Sequence, residues 1–178
     1  KIEIDGSTVG VGNGIKLCAG GTVRGLAIHG FVEAGISADC GVSNQPITLE
    51  GNYLGLKADG ITPSGNGIGV RVEPTDDGRP ETQFSSGELV IGDGNPATRN
   101  LIAANRIAGI VASPRQQSVT TRIRGNLIGT DRSGTVSLGN GIGVLITQPH
   151  PRCIASLDVL DNVIAGSTGD GLRIASAG

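Results

Sequence analysis

The sequence predicts an all-β chain wound as a β-solenoid, in which short strands stack coil upon coil. Three observations carry that prediction. Apolar residues alternate with period two in short runs, as strands with one buried face require. Nowhere over a dozen residues do they recur at helical spacing, so no helix competes. The chain also repeats itself: GNYLGLKADGITPSGNGIGVRV (51–72) aligns with GNLIGTDRSGTVSLGNGIGVLI (125–146) without a gap, ten of 22 positions being identical at an offset of 74. Units of this size cannot bury their own apolar face and must stack on their neighbours.

Composition supports this reading. Glycine takes 31 of 178 positions, about 17% against an average near 7%. Ile, Val and Leu nevertheless recur along the whole chain, which a disordered composition would not show. Many tight turns between many short strands account for the excess. The net charge is −2, which supplies no electrostatic attraction toward nucleic acid or an anionic membrane surface. No apolar run approaches the roughly 18–20 residues needed to cross a bilayer, so no membrane insertion is expected. The opening KIEIDGSTVG reads as an interior strand rather than a secretory signal. Residues 1–178 are therefore read as a single domain cut from a longer protein.

The elements follow in order. KIEIDG (1–6) and NGIKLC (13–18) are parts of a first pass, and TVRGLAIHGFVEAGISA (22–38) is the shortest complete unit. ITLEGNYLG…NGIGVRV (47–72) is the next. An inserted loop over 73–87, opening EPTDDGRPETQ, then interrupts the pattern. ELVIG…RNLIAANRIAGIVA (88–112), TRIRGNLIG…NGIGVLI (121–146) and LDVLDNVIAGSTGDGLRIA (157–175) complete five to six coils. Asn52, Asn100, Asn126 and Asn162 each precede an apolar pair (YL, LI, LI and VI), and Gly25 takes that place before LAI. Stacked at a turn, asparagines can donate their side-chain amides from coil to coil. The residues just ahead of this column (Arg24, Glu50, Arg99, Gly125 and Asp161) mix charges and read as a solvated face. Phe31 is placed in the core.

The motif G-N-x-I-G-T-D-x-x-G-T-x-x-x-G-N-G-x-G-V resembles the repeat of bacterial right-handed parallel β-helix proteins of the pectate-lyase-like superfamily. ATRNLIAAN (97–105) and IEIDGS (2–7) look like segments that accompany that repeat. The resemblance implies a right-handed coil and an extracellular or cell-surface setting. It also raises an enzyme reading, because lyases of that superfamily use clustered carboxylates, often with Ca2+, plus a basic residue, and its hydrolases use several Asp residues on adjacent coils.

Those chemistries need carboxylates of neighbouring coils facing one groove. Here they are dispersed. Asp59 and Asp131 lie in the two long turns, Asp76 and Asp77 in the insertion, Asp93 in the GDGN turn, and Asp158, Asp161 and Asp170 in the last coil. The weak catalytic candidates are Asp59 and Asp131 with Lys57 and Arg132, since the long turns are expected to project from one side. His29 and His150 stand about four coils apart. No GxxxxGK[ST] or G-x-S-x-G occurs, which leaves no phosphate loop or nucleophile elbow. Tyr53, Phe31 and Phe84 are the only aromatics, few for a sugar platform. Lys16, Arg71 and Arg173 form a basic stripe broken by Ser37, Val111 and Leu145, a poor track for a polyanion. Cys18 and Cys40, about one coil apart, either pair as a disulfide or stay as buried thiols, while Cys153 is left over.

The leading expectation is a structural module, a rigid spacer or adhesion scaffold outside the cell, with no cofactor and with polysaccharide or surface proteins as partners. The alternative is a lyase, epimerase or hydrolase acting on an acidic polysaccharide, the one reading under which Ca2+ is expected. Self-association through the terminal coils is the third, because exposed parallel strand edges invite pairing.

Overall fold

A computed structural model describes residues 1–38, 45–72, 88–113, 120–148 and 156–176. Its described strands form three parallel sheets. Sheet A holds β1 (Ile2–Asp5), β4 (Leu26–His29), β7 (Tyr53–Leu54), β10 (Leu101–Ile102), β13 (Leu127–Ile128) and β16 (Val163–Ile164). Sheet B holds β2 (Ile15–Lys16), β5 (Ala34–Ser37), β8 (Ile68–Val72), β11 (Ala108–Ala112), β14 (Ile142–Gln148) and β17 (Leu172–Ser176). Sheet C holds β3 (Gly21–Arg24), β6 (Ile47–Glu50), β9 (Glu88–Ile91), β12 (Thr120–Arg124) and β15 (Ser156–Leu160). The chain visits C, A and B in turn, five complete coils preceded by a first A–B pair. This is a parallel β-solenoid, as the periodicity predicts.

Register explains the core. Ile4, Ile28, Leu54, Ile102, Ile128 and Ile164 stack in one column of sheet A. Ile15, Ile36, Val70, Ile110 and Val144 do so in sheet B. Val23, Leu49, Ile91, Ile123 and Val159 do so in sheet C. The three columns meet in one interior cluster, joined by Phe31. Each inward position faces its own kind about 4.7–4.9 Å along the axis, which suits branched aliphatics on a pleated surface. Every second residue points out, so one-residue slips would carry a whole column into water.

The corner between sheets C and A turns through positive φ at Gly25 (75°), Gly51 (61°), Gly125 (67°) and Asp161 (55°). Gly25 therefore belongs to this corner column, one position ahead of the asparagines. Ala27 opposes Tyr53, which sets Leu26, not Gly25, against Asn52. In sheet B a second glycine column (Gly35, Gly69, Gly109, Gly143) serves close approach instead. A Cβ on Gly109 would lie 2.7 Å from the Gly143 carbonyl oxygen and 3.0 Å from Asn140 Nδ2.

Connections from B to C carry the insertions. The stretches 39–44, 73–87, 114–119 and 149–155 all fall there, and the inserted loop, Asp76, Asp77, Phe84, His150, Cys40 and Cys153 lie outside the described residues. Connections from A to B alternate between short (103–107) and long (55–67 and 129–141).

Candidate functional site

The two long A–B connections hold Lys57, Asp59, Asp131 and Arg132. Each connection closes as a small hairpin, through antiparallel bridges Leu56–Pro63 and Thr130–Ser137. The backbone is the same in both. Lys57 N–H donates to Thr62 O at 3.0 Å and Gly60 N–H to Lys57 O at 2.9 Å; Asp131 N–H donates to Val136 O at 3.0 Å and Gly134 N–H to Asp131 O at 3.0 Å. Lys57 is thus the counterpart of Asp131, and Asp59 that of Ser133.

The carboxylates are spent on these turns. Asp59 Oδ1 accepts from the Ile61 and Thr62 amides, each at 2.9 Å, and Oδ2 accepts from Thr62 Oγ1 at 2.5 Å. The Thr62 hydroxyl and then the two amides pull the Asp59 carboxyl down to about 2. Asp131 Oδ1 accepts from Ser133 Oγ at 2.6 Å and from Val136 N–H at 3.2 Å. The Ser133 hydroxyl holds its carboxyl below the ordinary aspartate range. Each carboxylate makes a short local turn of the kind Asp favours, accepting from a hydroxyl and from backbone amides of its own hairpin.

The tips of both turns are exposed at Lys57, Asp59 and Arg132 and lie on one side of the solenoid, while their bases fold back onto sheet A. Leu56 is fully buried, and it packs with Leu101, Ala103, Leu127, Tyr53 and Leu138 in a second apolar cluster. Tyr53, Leu101 and Leu127 stack on the face of sheet A opposite the main core. The hairpins fold back over that face, because Leu56 and Leu138 carry apolar area that would otherwise stay in water. They also meet each other across the short coil, where Arg132 N–H donates to Gly60 O at 3.0 Å and Ala104 N–H to Leu138 O at 2.8 Å. Asp131 itself is only 6% exposed.

The asparagine column is a continuous ladder. Asn52 N–H donates to Asn100 Oδ1 at 2.9 Å, Asn100 N–H to Asn126 Oδ1 at 3.2 Å, and Asn126 N–H to Asn162 Oδ1 at 2.9 Å. Each Nδ2 also donates to the next Oδ1, at 3.2, 2.9 and 3.0 Å. The remaining Nδ2 proton goes to a strand carbonyl, such as Leu49 O at 2.8 Å from Asn100. A second ladder at the A–B corner went unnoticed in the sequence. Asn66 N–H donates to Asn105 Oδ1 at 3.2 Å, and Asn105 N–H to Asn140 Oδ1 at 3.0 Å. The Nδ2 groups run parallel at 3.2 and 2.9 Å. Its signal was present: Asn66, Asn105 and Asn140 all stand two residues before an isoleucine.

The other charged positions are spread over separate surfaces. Asp93 Oδ1 accepts from Thr98 Oγ1 at 2.7 Å and Asn95 N–H at 2.8 Å. On the outer face of sheet C, Arg122 pairs with Glu88 and, at 3.7 Å, with Asp158, which also binds Arg124. Arg24 Nε lies 3.9 Å from Glu50, and Asp170 pairs with Arg173. The sheet B stripe runs Lys16, Ser37, Arg71, Val111, Leu145, Arg173 in register, with Val111 buried in its middle. Cys18 is disulfide-bonded. Among the described residues no three His, Cys, Asp or Glu side chains are grouped to hold a metal. Comparison with known protein families, with curated proteins and with solved structures finds no match in any of the three.

Proposed function

We propose that this chain is a structural module, a rigid solenoid scaffold of an extracellular or cell-surface protein. The observation that carries the reading is the pair of asparagine ladders, which clamp successive coils at two of the three corners. Buried amides whose donors and acceptors are all matched specify one register and resist its slipping. The six strands of sheet A climb about 4.8 Å per coil, roughly 24 Å in all. The module's contribution is accordingly three stiff faces for display and contact, more than reach. Polysaccharides or other surface proteins are the partners this reading takes.

The weak catalytic candidates are absorbed by it, since Asp59 and Asp131 build their own hairpins. A panel of pectin, alginate and related acidic glycans tests it, read as new absorbance of unsaturated sugar and as reducing ends. The wild-type chain is expected to release neither. Turnover that disappears in Asp59→Asn, Asp131→Asn or Lys57→Ala would replace the scaffold by the polysaccharide-active alternative.

A further inference from the structure

His29 ends β4 and is only 1% exposed, yet neither ring nitrogen has a hydrogen-bond partner. Buried imidazole nitrogens are normally paired, and leaving them unpaired costs free energy. The register explains what surrounds the ring. Asp5 opposes His29 directly across the β1–β4 pair, and Glu3 lies two residues earlier on the same face of β1. His29 Nδ1 stands 3.7 Å from Asp5 Oδ1, and Nε2 stands 3.7 Å from Glu3 Oε1. The ring is thus held between two carboxylates, one at each nitrogen. Both carboxylates are anchored from elsewhere: Asp5 Oδ1 accepts from Ser7 N–H at 2.8 Å, and Glu3 Oε1 from Ala58 N–H at 2.7 Å. The Ser7 amide keeps the Asp5 carboxyl below its ordinary range.

A neutral ring has one N–H and one lone pair. Whichever tautomer it adopts, one nitrogen points a lone pair at a carboxylate. A doubly protonated ring gives an N–H to each. We infer that His29, Glu3 and Asp5 form a proton-operated latch, which on acidification draws β1 and the coil-three hairpin onto the second coil. Its three anchor points are β1, through both carboxylates; β4, through the ring; and the 55–67 hairpin, through Ala58. Gly55 faces His29 from the next coil and carries no charge, and the charges acting on Asp5 are His29 itself and, after it, Lys57 on that hairpin. Histidine is the side chain whose charge changes in the mildly acidic range, and the Ser7 amide favours the charged form of the Asp5 carboxyl.

The sign follows from the geometry. The latch contributes stability while the ring is charged and loses it as pH rises and the ring is discharged. NMR of the histidine ring tests this. At about pH 5.5, two downfield imidazole N–H signals protected from solvent exchange are expected, and at about pH 8 no more than one. Glu3→Gln should abolish the protection at Nε2 alone, and Asp5→Asn that at Nδ1 alone. The melting midpoint of the wild type should rise, relative to the Glu3→Gln/Asp5→Asn double variant, by about 3–5 °C on the same acidification. Both carboxylates are substantially exposed, so these variants retain the fold. Ring signals that exchange freely at acid pH, or that ignore both substitutions, would overturn the latch. So would a midpoint difference that is the same at both pH values.

Discussion

Asn100 fills all four hydrogen-bonding positions of its side chain. Its Oδ1 accepts from the backbone and Nδ2 of Asn52, and its own Nδ2 donates to Leu49 O and Asn126 Oδ1. Being fully buried, it leaves the Asn52 backbone N–H and one Asn52 Nδ2 proton without an acceptor when removed. Leu49 O keeps the Gly92 N–H, and Asn126 Oδ1 keeps the Asn100 N–H. Asn100→Ala should cost about 3 kcal/mol in urea unfolding. Asn100→Asp should cost more, because it keeps the acceptor but turns a carboxylate on Leu49 O and Asn126 Oδ1. Asn95→Ala, whose Oδ1 caps an exposed turn, should cost only about 0.5–1 kcal/mol by comparison. This column was legible in the sequence because asparagine preceded an apolar pair four times. Its start was displaced to Gly25 because Leu26 occupies the asparagine position in the second coil, and the neighbouring corner glycine drew the alignment by one residue. The second ladder stayed hidden for another reason. Asn-Gly at 66–67 and 140–141 is also a strong turn signal in a sequence, which competes with a stacking role for the same asparagines.

The hairpin is the element where sequence and structure part furthest. Strands of four or five residues were visible through their period-two alternation. The hairpins leave no pattern in the sequence, because each is held by one antiparallel bridge. What folds them back is a pair of leucines, Leu56 and Leu138, whose partners lie in other coils. Asp59 and Asp131 looked like candidates because aspartate in an exposed loop is common to turns and to active sites alike. Only the donors around them decide between the two. Because the Asp59 carboxyl is drawn down to about 2, the hairpin's contribution is intact above the free aspartate range near 3.9 and is lost as pH falls through about 2. The amide shifts of Ile61 and Thr62, followed by NMR through acid, should titrate with that low midpoint and lose the titration in Asp59→Ala. A midpoint at the free aspartate value would mean that the turn does not use the carboxylate.

At the scale of the molecule, the three-sheet coil could be read from the repeat, but the repeat has no constant period. Equivalent interior residues Ile4, Ile28, Leu54, Ile102, Ile128 and Ile164 are separated by 24, 26, 48, 26 and 36 residues. The close match at an offset of 74 therefore spans two coils, and it joins the two that carry long hairpins. Uneven spacing arises because the A–B hairpins (55–67 and 129–141), the long C–A connection 92–100 and the stretch 73–87 between sheets B and C are added between strands whose stacking register is unchanged. In such a quasi-one-dimensional array each strand pairs only with its counterparts in the adjacent coils. The hairpins reach past a coil through Arg132 N–H to Gly60 O and Ala58 N–H to Glu3 Oε1, so rigidity depends mainly on how strongly adjacent coils are coupled. The aliphatic columns supply burial without direction, and the two ladders supply direction.

Native-state hydrogen exchange at the ladder amides tests that coupling most directly. The backbone amides of Asn52, Asn100 and Asn126 on one ladder, and of Asn66 and Asn105 on the other, are each donated to the next asparagine. If the ladders clamp the coils into one stiff scaffold, these amides open only with the interior strands and share their opening free energy. Exchange at the rate of exposed turns, while the amides of sheets A and B stay protected, would contradict a rigid scaffold.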